Sequence, residues 1–187
     1  MTANIDVASL IIRTAVGLTV AAHGWNHAFG GGGLAGTARW FASIGLRPGR
    51  LHALMATGVE LGGGAMLTLG LLTPVAAAGL VGTMVVALIT NHLRNGFFIF
   101  RPGEGYEYVL LLILVSAGLG ALGGGSLSLD GLLDLDATLA GWLGLTIAGG
   151  AGATGGALLL AVFWRPADSH DPPRKLHFQE PVSEETT

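Results

Sequence analysis

"IDVASLIIRTAVGLTVAAHGWNHAFGGGG" (residues 5–33) decides the fold. A helix needs about 20 largely apolar residues to cross a bilayer, and this run supplies them before it dissolves into four consecutive glycines. It also carries three residues that hydrocarbon does not favour: Arg13, and the histidines His23 and His27 spaced four apart on one helical face. A spanning helix is therefore expected, and those three side chains need partners inside or at the edge of the membrane. The segment does not read as a cleaved leader: no basic region precedes it, the apolar run is too long, and Arg13 interrupts it.

The rest of the chain agrees with that start. Of 187 residues 51% are hydrophobic and 11% charged, with mean hydropathy +0.63, whereas a soluble domain carries roughly a quarter charged residues. Cysteine is absent, which excludes disulfides, thiolate metal sites and thiol redox chemistry. Any redox role needs a borrowed cofactor. The 32 glycines suit helices whose backbones pack closely in lipid, and "GVELG" (58–62) and "GALGG" (120–124) both contain the G-x-x-x-G spacing that permits it. The tract "GGGG" (30–33) lacks the spacing and the preceding strand of a phosphate loop and reads as a flexible exit from the first helix.

Five stretches qualify as spans: 6–29, 51–72, 74–93, 106–123 and 141–163. Pro74 allows a tight turn between the second and third. The expected fold is all-α, an integral membrane bundle of four helices within residues 1–123, an outer acidic loop at 124–140, a further helix at 141–164 and a charged tail at 165–187. The tail is too short and polar for a core and is expected to be disordered unless a partner orders it, with "KLHF" as a docking candidate.

Basic residues fix the orientation. Arg39, Arg47 and Arg50 lie in the first connection, Arg94 and Arg101 in the third, and Arg165, Arg174 and Lys175 in the tail, while the second and fourth connections have none. With five spans all of these fall on one side, predicted to be cytoplasmic, with the N-terminus outside. Trp142 and Trp164 bracket the last helix as interfacial anchors. "TARWFASIGL" (37–46) suits either a short interfacial helix or an ordinary loop. "SLSLDGLLDLDATL" (126–139) reads as an outer-surface segment, and Asp130, Asp134 and Asp136 lack the pattern of a calcium loop.

Two polar clusters are candidates for function. Counted from helix midpoints, Arg13 lies about 7 Å outward and Glu60 about 2 Å inward, so an Arg13–Glu60 pair is the first expectation and His23–Glu60 the second. At the cytoplasmic ends, Asn26 and His27 converge with Asn91, His92 and Asn95 and with Glu104, Tyr106, Glu107 and Tyr108. His23, His27, His92 and Glu107 could be assembled into a metal set, but no H-E-x-x-H or comparable signature is present, and no metal site is assigned. A quinone headgroup is better motivated: histidine and carboxylate can hydrogen-bond its carbonyls, with Phe97, Phe98 and Tyr106 covering the ring. Ordinary packing and capping of helix ends is the structural alternative.

Three pieces together resemble the DoxX family of small bacterial membrane proteins over residues 8–122: Arg13 followed by "HGWNHAFG", "ELGGGAMLTLGLLTPVAA", and "NGFFIFRPGEGYEYVLLL". The matching positions are Arg13, His23, Gly24, Glu60, Gly63, Gly70, Thr73, Asn95, Gly96 and Glu107. The family usually has four helices, so the fifth helix and tail are additions. Relatives commonly carry lysine where this chain has His27, which implies a cation or donor at that position rather than a metal ligand. Some relatives are linked to quinone-coupled sulfur oxidation and others to membrane oxidoreductase assemblies with soluble enzymes. The resemblance implies a plasma-membrane accessory subunit of a redox complex, holding a quinone near Arg13, His23, Glu60, His92 and Glu107 and docking other protein subunits, and not an enzyme on its own. The alternative is a non-catalytic scaffold that recruits a larger complex through the fifth helix and tail. A small-solute carrier is disfavoured by the lack of an internal repeat, and nothing in the sequence points to nucleic acid.

Overall fold

The computed structural model describes residues 3–166, and every regular element within them is helical. The opening stretch forms one continuous helix, α1 (Ala3–Phe29). It stops where Gly31, Gly32 and Gly33 take φ of 41°, 96° and 60°, values that residues with a Cβ avoid. The chain reverses there into α2 (Gly33–Ser43), tied back by the Thr37 hydroxyl, which donates to the His27 carbonyl at 2.9 Å. Next comes α3 (49–69), broken by a π turn at Val59–Gly63, and then α4 (Thr73–Asn95), with a second π turn at Leu88–His92. α5 (Glu107–Leu122) is followed by two single turns, α6 (Leu129–Leu132) and α7 (Asp136–Leu139). The last element is α8 (Gly141–Phe163), with a π turn at Thr146–Ala151.

Three helices, α1, α4 and α8, are long and apolar enough to cross a membrane, and α5 is a shorter apolar helix. All five expected stretches are helical and pack as one bundle: α1 runs along α3, while α4 sits among α3, α5 and α8. Backbones approach closely where two of these seams cross. A Cβ on Gly17 would lie 2.6 Å from the Gly64 carbonyl oxygen, and one on Gly156 would lie 2.7 Å from that of Gly82. The two predicted crossing motifs behave differently. Gly120 packs against Gly144, but Gly58 and Gly62 face open space, so "GVELG" makes no close crossing.

Polar ties define the two ends. At one, the Ser9 hydroxyl donates to the Gly123 carbonyl at 2.8 Å and Ser126 donates to Asp6 at 2.6 Å. At the other, the end of α8 is clamped to the turn before α3: Arg165 N–H donates to Gly45 at 2.8 Å, and the Trp164 indole donates to the Ile44 carbonyl at 3.0 Å. This second end gathers Arg47, Arg50, Arg94, Arg101 and Arg165. Trp164 is thus a clamp as well as a terminal aromatic, whereas Trp142 stands 83% exposed. The region expected as an interfacial helix or loop is α2. It buries Phe41 against Leu46, Ala53, Ala56, Val86 and Leu160. Residues 167–187, which hold Arg174, Lys175, "KLHF" and the predicted disorder, lie outside the described residues.

One reading of the acidic segment is corrected. Asp130 is not a surface residue but 1% exposed. Its carboxylate accepts from the N–H groups of Leu72 and Thr73 at 2.7 and 2.8 Å and from the Thr73 hydroxyl at 2.7 Å. These are donors that the start of α4 leaves unpaired, and a negative charge suits that end of a helix. The bonds also hold Leu72 at φ 44°, an unusual conformation for a residue with a side chain.

Candidate functional site

Arg13 and Glu60 do not meet. The Arg13 guanidinium, 1% exposed, donates to the carbonyl of Leu67 at 3.3 Å and to those of Thr68 and Leu127. It therefore caps the C-terminal end of α3, where carbonyls lack helical partners and a cation is favoured. Gly70, at φ 66°, brings the turn against it: a Cβ there would lie 3.0 Å from the guanidinium carbon. The depth estimate failed because it centred both helices on the bilayer, while α1 overhangs α3 and carries Asp6 and Ser9 to residues 123–126.

Glu60 faces His27 instead, with Nδ1 and Oε2 2.8 Å apart. The neighbouring turn explains the choice. Gly24 lets the two helices touch, since a Cβ on it would lie 2.9 Å from Glu60 Cβ, and His27 follows one turn later. The π turn Val59–Gly63 carries Glu60 at this contact, and such turns recur at functional sites. The pair has ion-pair distance without hydrogen-bond directionality, and neither of the two atoms has another partner. His27 is thus half-buried, its side chain 20% exposed. His23, the second candidate for Glu60, is exposed on the same face, its ring 6.5 Å from that of Tyr108.

Beside this pair lies a cavity of about 620 Å³. It is walled by apolar residues of α1 to α5 and α8, and its polar lining includes His23, His27, Glu60, His52 and His92. Each of the three π turns contributes to the lining, through Glu60, through Asn91 and His92, and through Ala151. His92 Nδ1 lies 2.9 Å from the Glu104 carbonyl, which can only accept, so that nitrogen carries the proton; Asn91 Nδ2 then donates to Nε2 at 3.3 Å. Of the five residues singled out by sequence, the cavity gathers His23, Glu60 and His92. Arg13 is at the far end of the bundle, about 20 Å of helix from His27. Glu107 holds the 97–107 loop, accepting from Ile99 N–H at 3.2 Å.

The aromatic cover is also placed differently. Phe97, Phe98 and Tyr106 pack on one another outside the cavity, with ring centroids 5.3 and 5.4 Å apart, and its aromatic walls are Trp40, Phe41 and Tyr108. His52 was missed altogether. It is 3% exposed and lines the cavity from the first turns of α3. The helical spacing of His52, Ala56, Val59 and Glu60 was the signal that could have found it. No group of three metal-ligating side chains occurs among the described residues.

A helical bundle with three membrane-length apolar helices, a His–Glu pair and a mainly apolar cavity defines a small membrane protein with room for a ligand. Residues 8–93, from α1 into α4, match the DoxX family model. The chain is also similar to the Bacillus subtilis (strain 168) protein named "Putative oxidoreductase CatD", 29% identical over 130 residues that cover 70% of this chain and 90% of the relative. No solved structure matches.

Proposed function

We propose that this protein is an accessory subunit of a quinone-linked redox complex in the bacterial plasma membrane, and that its cavity holds the ring of a quinone or a similar lipid-soluble molecule. Five spans with the N-terminus outside put Arg39, Arg47, Arg50, Arg94, Arg101 and Arg165 on the cytoplasmic side. The cavity then opens in the cytoplasmic half, where a soluble or membrane-bound partner subunit docks. The observation that carries the reading is the combination of about 620 Å³ of mainly apolar space with the pair of half-buried His27 and buried Glu60. The space fits a substituted ring, and the pair supplies polar contacts at its wall. The oxidoreductase name of the Bacillus relative points the same way.

The residues divide the work. Apolar walls exclude water, Tyr108 and Phe41 lie against the ring, and His27 and Glu60 offer polar contacts to the ligand at Nδ1 and Oε2. A bound quinone supplies the two-electron chemistry that the side chains lack. Mass spectrometry of gently purified protein is expected to find a stoichiometric quinone-type molecule. Glu60→Gln or His23→Ala should lower its occupancy with the helical signal unchanged. A stable, empty bundle that retains a protein partner would overturn the reading in favour of a scaffold.

A further inference from the structure

We infer that the cavity continues into an apolar groove between α3 and α8 that opens to the lipid, and that its ligand is a long-chain molecule whose hydrocarbon tail leaves through that opening. This rests on the reading of the cavity as a quinone-type site and adds that a tail is part of what the site recognises.

Contacts along three helices give the groove its shape. At the cytoplasmic end α3 and α8 are joined: His52 meets Phe163 edge-on at 5.2 Å, and Leu160 packs with Ala53 and Ala56. One to two turns further along, each helix rests on α4 instead. A Cβ on Gly79 would lie 3.1 Å from Val59 Cγ1, and one on Gly82 would lie 3.1 Å from the Gly152 carbonyl oxygen. Gly79 and Gly82 therefore form a floor without side chains between α3 and α8, and both line the cavity. The α8 wall consists of Ala151, Gly155 and Leu159, which share one helical face and span about 12 Å of helix. A Cβ on Gly155 would meet nothing within 4 Å.

The rim of the cavity has a polar and an apolar part. Lining residues that are also exposed are His23 on α1 and Glu104 in the loop before α5, and, on α3 and α8, Met55, Ala151 and Gly155. Gly155 lies three residues beyond Gly152, the midpoint of the membrane-length helix Gly141–Phe163. At that depth the apolar rim faces hydrocarbon, not headgroups. A ring occupies only part of the roughly 620 Å³, and the glycine floor lies beyond it. A chain laid along that floor gains the dispersion contacts that an unfilled groove forfeits, and it leads out where the surroundings are themselves hydrocarbon. The polar atoms of the ring then stay on the side of His27 and Glu60.

The test compares binding of 2-methyl-3-decyl-1,4-naphthoquinone and 2,3-dimethyl-1,4-naphthoquinone to the full-length protein in phospholipid nanodiscs, with protein-free discs correcting for partition into the bilayer. The decyl compound is expected to bind about tenfold more tightly. Gly155→Trp sets an indole over the groove at a position with space for it, and should remove that advantage while leaving the dimethyl compound unchanged. Gly118→Trp, the same change at an exposed position of α5 outside the cavity lining, should preserve it. A diazirine at the far end of the decyl chain should label α3 and α8 around Met55 and Gly155, a readout that needs no variant. Equal binding of the two compounds to the wild type, as when bilayer lipid fills the groove, overturns the inference and leaves the quinone-type cavity standing. So does an advantage that survives Gly155→Trp, or labelling confined to α1 and α5. Binding of neither compound overturns both readings.

Discussion

The two ends of the bundle treat buried polar groups in opposite ways. At the end formed by residues 124–140, Arg13 is matched to three carbonyls, Asp130 to two N–H groups and a hydroxyl, and Ser9 to Gly123, with Arg13 Nε and Asp6 Oδ1 left without partners. At the cavity end, His27 and Glu60 have only each other, and His52 Nε2 has nothing. Saturated polar groups fix a fold, because every competing arrangement leaves one of them unpaired. Unsaturated groups around empty apolar space do little for the fold and keep bonding capacity for a ligand. Both ends contain ionisable residues in apolar helices, so charge alone does not separate structure from function; the number of hydrogen bonds each group makes does, three each for Arg13 and Asp130 against an undirected contact for His27 and Glu60.

If this division is right, stability falls most at the closed end. Arg13→Ala removes a charged donor from three carbonyls at once. With hydrogen bonds to charged groups each worth about 1.5–3 kcal/mol, a loss of at least about 3 kcal/mol is expected in unfolding of the solubilised protein. Arg13→Lys should recover only part of it, since an ammonium lacks the planar fork. A wild-type unfolding midpoint for Arg13→Ala would break the comparison outright. Asp130→Ala comes next: it leaves two N–H groups at the start of α4 unpaired, for an expected loss of about 2 kcal/mol, with Asp130→Asn falling between. Denaturant titration followed by helical signal would rank the four.

The open end should respond in binding, not stability. Glu60→Gln preserves size while removing the charge opposite His27, and is expected to shift stability by less than about 1 kcal/mol yet weaken a ring-shaped ligand about tenfold, or 1.4 kcal/mol. Measuring both quantities on one preparation sharpens the contrast. A large stability loss with unchanged ligand affinity would make Glu60 another structural polar group.

The difference between the ends also explains what could be read from sequence. Helix positions followed from apolar length and proline placement, and α1, α3, α4, α5 and α8 lie close to the stretches read from it. Arg13 was legible as an intramembrane cation, but its partners are backbone carbonyls, which no residue code displays, and one of them comes from Leu127. Asp130 was hidden for the same reason: it bonds to residues 57 and 58 positions earlier, across a turn whose shape depends on Gly70 and Leu72. On the cavity side, Glu60 stood out because a carboxylate is costly in lipid. His27 as its partner depended on where two glycine-rich helix faces touch. His52 looked like any histidine near a helix start, and only its burial beside empty space gives it meaning.

The smallest effect tests the same contrast in the backbone. α1 packs against α3 at Gly64, where a Cβ would lie 2.6 Å from the Gly17 carbonyl oxygen, whereas at the exposed Gly58 a Cβ would meet nothing within 4 Å. Both positions are helical, with φ of −61° and −64°, so alanine fits the backbone at each and the surroundings decide the outcome. Gly64→Ala should cost about 1–3 kcal/mol by forcing the helices apart. Gly58→Ala should stabilise by about 0.5–1 kcal/mol, because glycine inside a helix loses more freedom on folding than alanine. Opposite signs from one chemical change six residues apart in α3 would separate the face of α3 that α1 covers from the face left open. Equal losses would mean that Gly58 is packed as tightly as Gly64.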